Sequence, residues 1–384
     1  MNLVESLTQL QTSLTKIDNV RLTESKNHLD HPEDLVFLED VSGVQRALRA
    51  FDDTVNNPDL ITIKWDGYPA IVFGRNANGK FSIMDKHMFN KKDGSGRSIF
   101  SPSDFKKYDA ERGVDRGNLY QLISRIWEGL ANADTSRGYY WGDLLFSNPL
   151  QETNGQYKFQ ANPNGIMYTV DANSEIGKML DGKVAGIAVH QYINPSAMTV
   201  DEAVSLNGSI GKLKNNTNVA IVPSKMPVSP NLSLDENLVA KVNAELNKYG
   251  TDVSELMQNA PQARNSFNQL FTTYINKKIV SGDLNNLYDG FADYVQSRPM
   301  SDKMRAKIVT HLSQNKTGLV GAFKIWIALY NLKTSLLKQL DSAAANSPVK
   351  GYLQDGRQTH EGFVSQGIKL VDRMGFSRQN LSKN

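Results

Sequence analysis

The tetrapeptide Lys64-Trp65-Asp66-Gly67 holds the residues with the clearest chemical potential. A lysine beside a carboxylate can act as an amine nucleophile where its surroundings populate the neutral form. Asp66 lies two positions on, on the same strand face, where it could orient the amine, and Gly67 permits a tight turn. A second acid and base, Glu361 and Lys369, stand eight residues apart in EGFVSQGIKL near the end of the chain. Lys86, Lys91, Lys92 and Arg97 follow the first motif and could face phosphates; the same residues also read as a solvated basic loop. Cysteine is absent, so a thiolate nucleophile is excluded and any metal must rest on oxygen or imidazole. The six histidines have no zinc-like spacing. GSIGKLK at 208–214 fails as a phosphate loop, since Leu206 and Leu213 stand where glycine and a hydroxyl residue are needed.

Strands and turns must position these groups. In LITIKWDG, Ile61, Ile63 and Trp65 alternate with Thr62, Lys64 and Asp66, which predicts a strand with one apolar face. AIVFGR and KFSIMDKH, joined by NANG, predict a hairpin. Leu119, Ile123, Ile126 and Leu130 predict a helix over 117–132, and GYYWGDLLF returns to strand. YKFQ, IMYTV, AGIAVHQYI and NVAIV continue the strands to about 222. PSKMPVSP, with three prolines in eight residues, reads as a linker. Beyond it Val239, Val242 and Leu246 repeat at helical spacing, and Gly250 sits where a glycine would end that helix. Further helices are expected near 265–277, 284–296, 302–313 and 319–341, the stripe Phe323, Ile327, Tyr330 and Leu337 being helical core. Trp65 and Trp141 also read as core. The expected organisation is an N-terminal helical or irregular segment over 1–57, a core over 58–222, a helical insertion over 231–346, and C-terminal strands over 347–384 that complete the core.

In order and type these motifs resemble those of the covalent nucleotidyltransferase superfamily of ATP-dependent DNA ligases, RNA ligases and capping enzymes. KWDG resembles the KxDG nucleophile motif, which implies a lysyl-nucleotide adduct at Lys64 with Asp66 and Gly67 beside it. YWGD resembles the strand motif whose carboxylate, here Asp143, contacts nucleotide or metal; EGFV resembles EGxV, implying Glu361 as the metal-linked carboxylate. IKLVDR is similar to the final lysine strand, placing Lys369 on the α-phosphate. Over most of the chain the likeness is to uncharacterised ligase-like proteins of tailed phages. It implies that His190 or Tyr192 stacks on the base and that Lys86 serves the phosphates. The implied fold class is α+β, an antiparallel-sheet nucleotidyltransferase (ATP-grasp-like ligase) core with a helical domain inserted before the last strands. Pro69 replaces the arginine usual in DNA ligases, Val371 replaces the second lysine of the last motif, and only 11 residues follow Arg373, too few for an oligonucleotide-binding barrel. An RNA-ligase-like enzyme using ATP and Mg²⁺, with Glu361 and Asp143 as metal ligands and Lys91, Lys92 and Arg97 on the polynucleotide, is therefore expected. A DNA nick ligase, a capping-type transferase, or an inactive nucleic-acid-binding or virion-associated phage protein are the rivals.

The final hairpin can be argued from its own residues. A two-residue Gln366-Gly367 loop would set Val364 opposite Lys369 and turn Glu361 away. A three-residue Ser365-Gln366-Gly367 loop would pair Phe363 with Lys369, put Glu361, Phe363 and Lys369 on one face, and leave Val364, Ile368 and Leu370 on the other. The apolar pattern selects the second register.

Composition sets the outer limits. With 384 residues, 40 % hydrophobic and 22 % charged, the chain can bury a large core and is not a disordered or fibrous type. A net charge of +3 is too small to announce a nucleic-acid partner, so local cations must do so. The N-terminus lacks the pattern of a signal peptide, and AFKIWIALYNL is too short to span a bilayer. A cytoplasmic protein, in the host cytoplasm if phage-encoded, is expected, with no membrane partner.

Overall fold

A computed structural model of the chain describes residues 29–161, 165–215, 217–261 and 264–378. It is a mixed α and β structure with thirteen strands among the described residues: β1 Thr62–Ile63, β2 Ala70–Arg75, β3 Phe81–Met84, β4 Gly138–Phe146, β5 Glu152–Thr153, β6 Gln156–Phe159, β7 Met167–Asp171, β8 Ala185–Ile193, β9 Val204–Ser205, β10 Val219–Pro223, β11 Val349–Tyr352, β12 Phe363–Ser365 and β13 Ile368–Leu370. They form three sheets. The largest runs β10-β8-β4-β2-β3, with β9 attached to β8; a second runs β11-β7-β6-β5; the smallest is β1-β12-β13.

The named strands pair antiparallel, as expected of an α+β structure with antiparallel sheets, except β8 and β10, which lie parallel. Between β8 and β10 the chain passes through the helical turn Val200–Glu202 and β9 before it re-enters the sheet in the same direction. The helix Gly117–Ala133 covers the large sheet with Leu122, Ile123, Ile126 and Leu130, and its Trp127 meets Phe81 edge to face at 5.3 Å.

The other four long-range elements of the helical part are the helices Glu236–Gln258, Arg264–Ser281, Asp302–Gln314 and Lys316–Ala344, with the shorter Asp289–Ser297 between them. The first of these passes through Gly250 and ends at Gln258, so the glycine does not stop it. A helix-interior glycine costs only about 1 kcal/mol. Packing of Val242, Tyr249, Val253 and Leu256 against neighbouring helices outweighs it. The helix Leu35–Asn56, kinked at Asp40 where φ is 54°, lies against the same layer with Phe37, Val44 and Phe51. One apolar core runs from these helices to Trp65, Phe159 and Tyr168 under the smaller sheets. Phe323 and Leu337 of the predicted stripe are buried in it, while Ile327 and Tyr330 sit at its edge. Among the described residues no helix is long and apolar enough to cross a membrane.

The final hairpin takes the register that the apolar pattern rejected. Val364 pairs with Lys369, and Gln366 (φ 49°) and Gly367 (φ 73°) make a two-residue turn of the primed type that suits strand twist. Phe363, Ser365, Ile368 and Leu370 form the buried face. Ser365 is tolerated there because its hydroxyl meets that of Thr54 at 2.9 Å, while Val364 is only half-buried. Counting apolar side chains missed this satisfied serine.

Candidate functional site

Lys64 stands just beyond β1, whose ladder is shorter than the sequence suggested. Its N–H still donates to the Gly362 carbonyl at 2.9 Å, and on the opposite edge Ile63 N–H donates to the Ser224 carbonyl at 2.7 Å. The backbone around the lysine is thus held from both sides. Its amine forms an ion pair with Glu361 Oε1. The lysine side chain is 31 % exposed and the glutamate 13 %, so the nitrogen can be approached while its partner is largely enclosed.

The two-residue turn would have aimed Glu361 away from Lys64 had strict alternation continued. Gly362 breaks it, with φ at +155°. A side chain there would bring a Cβ within 2.5 Å of the Leu370 carbonyl oxygen, so the close crossing of β13 also requires glycine. Burial raises the Glu361 carboxyl above its usual range, opposed by the Lys64 charge. Lys369, opposite Val364, is lowered by burial and by Lys64, with Asp30 and Glu361 pulling the other way.

Asp66 has a structural task in addition to any role beside the amine. Its Oδ2 accepts from Ile166 N–H at 3.0 Å, and its own N–H donates to the Tyr168 hydroxyl at 2.7 Å, pinning the motif to β7. Gly67 then passes against β4: a Cβ at this position would lie 2.6 Å from the Asp143 Cβ. Tyr68 N–H donates to the Leu144 carbonyl at 3.0 Å and Leu144 N–H to the Pro69 carbonyl at 3.1 Å, which locks the turn beside Asp143. Burial pushes the Asp143 carboxyl up to about 7; Lys64 opposes this, and Glu361 and Asp66 reinforce it.

Of the two candidate stacking rings, His190 is the one near Lys64. Between β4 and β8, Trp141 pairs with Gln191 and Gly142 with Val189, which leaves His190 as a bulged residue. Bulges re-aim a side chain. Here the imidazole lies 5.5 Å from the Trp141 ring, and Lys86 Nζ sits 5.4 Å from the centroid of that same indole. Burial, aided by the Lys64 charge, brings His190 down to about 4, so it is neutral near pH 7. Tyr192 is anchored farther along β8, its hydroxyl donating to the Arg137 carbonyl at 3.0 Å and its ring against Tyr140.

Trp141 was expected in the core with Trp65. Trp65 is there, but Trp141 is half-buried and lines the wall between Lys86 and His190. Its alternation with Asp143 in YWGD was the sequence signal that could have placed it on the site face.

Lys64, Asp66, Asp143, His190, Glu361 and Lys369 therefore meet, although they come from distant parts of the chain. A family model described as a family of unknown function (DUF6267) matches residues 26–384. The chain belongs to that family. No curated protein and no solved structure matches it. The DUF6267 match takes in every segment that reaches Lys64 and the whole helical layer.

The remaining predicted cations of this DUF6267 chain lie outside that cluster. Lys91 pairs with Asp93 at 3.5 Å and sits over Tyr108, and Lys92 is exposed. Arg97 donates to the carbonyls of Phe89 and Met198, both at 2.8 Å, and so fastens two loops together. Among the described residues no group of three or more His, Asp or Glu side chains converges as a metal cage. Glu361 and Asp143 fit a different demand. Both are oxygen donors near Lys64, each close enough to feel its charge, and Mg²⁺ needs only one or two carboxylates because it keeps several waters.

Proposed function

We propose that this chain is an ATP-dependent, RNA-ligase-like nucleotidyltransferase that works through a covalent lysyl-AMP at Lys64. The observation that carries the reading is the ion pair of Lys64 with Glu361, formed between segments 297 residues apart, with Asp143 and Lys369 close enough to feel the charges of both. A structural salt bridge requires only two of these groups. A nucleophile, a raised carboxylate beside it and a second lysine at its flank together suit phosphoryl transfer.

In this reading the proton that Lys64 must lose passes through its ion-pair partner Glu361 to solvent, which leaves Glu361 as a carboxylate. The free amine attacks the α-phosphorus of ATP; the new N–P bond replaces the P–O bond to pyrophosphate, which leaves. Lys369 offsets charge on the α-phosphate oxygens. Mg²⁺, held by Glu361 and Asp143, would supply further charge neutralisation. A 5′-phosphate oxygen of a polynucleotide end then displaces Lys64 from the nucleotide, and a 3′-hydroxyl displaces AMP from that end. His190, near enough to Lys64 to feel its charge and backed by the Trp141 ring, provides the face on which a base can stack. Pro69, in place of an arginine, supports RNA over DNA as the substrate.

Incubation with α-labelled ATP, GTP or adenylate-labelled NAD and Mg²⁺ tests this directly. A denaturation-resistant label from ATP is expected on the wild type and none on Lys64→Ala. Label that survives in Lys64→Ala, or its absence from the wild type with all three nucleotides, would overturn the proposal. Nicked RNA, nicked DNA and single-stranded ends then rank the acceptors, with sealing of RNA expected.

A further inference from the structure

The smallest sheet carries a fourth segment that nucleotidyl transfer has not yet used. Asp30 bridges Ile368 in the parallel sense, and Lys369 N–H donates to the Asp30 carbonyl at 3.0 Å. His31 continues extended, with φ −71° and ψ 131°. Paired residues share a face and successive residues alternate. His31 therefore stands beside Lys369 on the face that also bears Val364, Thr62 and Lys64, while Asp30 and Ile368 take the other.

The His31 ring is half-buried, yet its Nδ1 is fully enclosed and has no hydrogen-bond partner among the described residues. Buried polar atoms are nearly always satisfied, and an orphaned acceptor is tolerated more readily than an orphaned N–H. The ring proton thus belongs on Nε2, at the edge that the open face can reach. The surroundings keep the ring neutral: burial acts first, then Arg373, Lys333, Lys369 and Lys64. The acids on the same segment are engaged elsewhere, Glu33 with Lys333 and Arg373, and Asp34 with Arg373. Asp30 offsets Lys369, and Glu361 is paired with Lys64. The result is a fixed N–H donor in cationic surroundings.

We propose that His31 and Lys369 form a phosphate subsite beside Lys64, in which His31 Nε2–H donates to a phosphate oxygen and Lys369 supplies the charge. The proposal deepens the nucleotidyl-transfer reading and rests on it only for the source of the phosphate, either the triphosphate tail of the nucleotide or the 5′-phosphate of a polynucleotide end.

Binding of inorganic pyrophosphate and of a 5′-phosphorylated oligonucleotide to the full chain, followed by calorimetry and by the His31 imidazole nitrogen resonances, tests it without any turnover. In the wild type those resonances should report the Nε2–H tautomer and move on saturation with one of the two ligands. His31→Ala should weaken that ligand about tenfold or more, the usual worth of a hydrogen bond to a charged group. His31→Gln, which retains a side-chain N–H, should recover part of the loss. A loss confined to pyrophosphate, with normal transfer from preformed lysyl-AMP, assigns the subsite to the triphosphate tail. A loss confined to the oligonucleotide, with normal adduct formation, assigns it to the 5′-phosphate end. Wild-type affinity of a folded His31→Ala protein for both ligands overturns the subsite, as does an Nδ1–H tautomer. Absence of lysyl-AMP together with an intact His31 effect would instead remove the nucleotidyl-transfer reading and leave the anion site standing.

Discussion

At the scale of single residues, Asp143 is the carboxyl whose proton most directly reports the site. Burial first, then its acidic neighbours Glu361 and Asp66, push it up to about 7 against the pull of Lys64. An unfolded aspartate titrates near 4. Between those values the folded chain holds a proton that the unfolded chain has released, so stability falls as pH rises from about 4 to about 7 and levels off above it. Glu361 contributes in the same sense. Asp143→Asn should flatten the pH dependence of the melting temperature across that window, and an unchanged slope would show that Asp143 is not the strained acid. Lys64, Glu361 and Lys369 could be singled out by residue type, because few side chains can serve as nucleophile, base and phosphate partner. The tie from Asp66 to Ile166 and the bulge at His190 could not, since both depend on backbone atoms brought in from other strands.

At the scale of elements, the hairpin β12–β13 shows where pattern reading fails. Alternation identified two strands but assigned the wrong register, because Ser365 faces the core with its hydroxyl against Thr54 and Gly362 resets the alternation before β12. Neither effect can be weighed by hydrophobicity. The turn retains a cost that can be measured: Gln366 occupies the left-handed region at φ 49°, where an ordinary L-residue loses roughly 1–2 kcal/mol. Asparagine tolerates that region, and Asn-Gly is the preferred pair for this turn. Gln366→Asn should therefore stabilise the chain by about 0.5–1 kcal/mol in urea unfolding. A loss of stability would contradict the two-residue turn. The hairpin β2–β3 and the helix Gly117–Ala133 were legible because their signals are local, a turn-rich loop and a single apolar face.

At the scale of the whole molecule, the N-terminal segment, the helical layer and the C-terminal end are joined by charges that lie inside the core. Lys333 pairs with Glu33 with both side chains fully buried, and Arg373 bonds Asp34 at 2.6 Å and reaches Asn276 at 2.7 Å. Trp326 adds its N–H to Asp34 at 2.8 Å. Two acids balance two bases, so the cluster is neutral as a group although each member would be costly alone. Its partners are up to 340 residues apart, which is why the sequence offered no hint of it. The cluster sits directly behind His31 and β13, so the helical layer is fastened to the strands that carry Lys369. Lys333→Met should leave Glu33 and Asp34 to share Arg373, one buried negative charge in excess, and cost about 3–5 kcal/mol. Adding Glu33→Gln removes that charge and should restore a substantial part of the loss. Equal destabilisation by the single and double variants would mean that lost packing, and not the orphaned carboxylate, sets the cost.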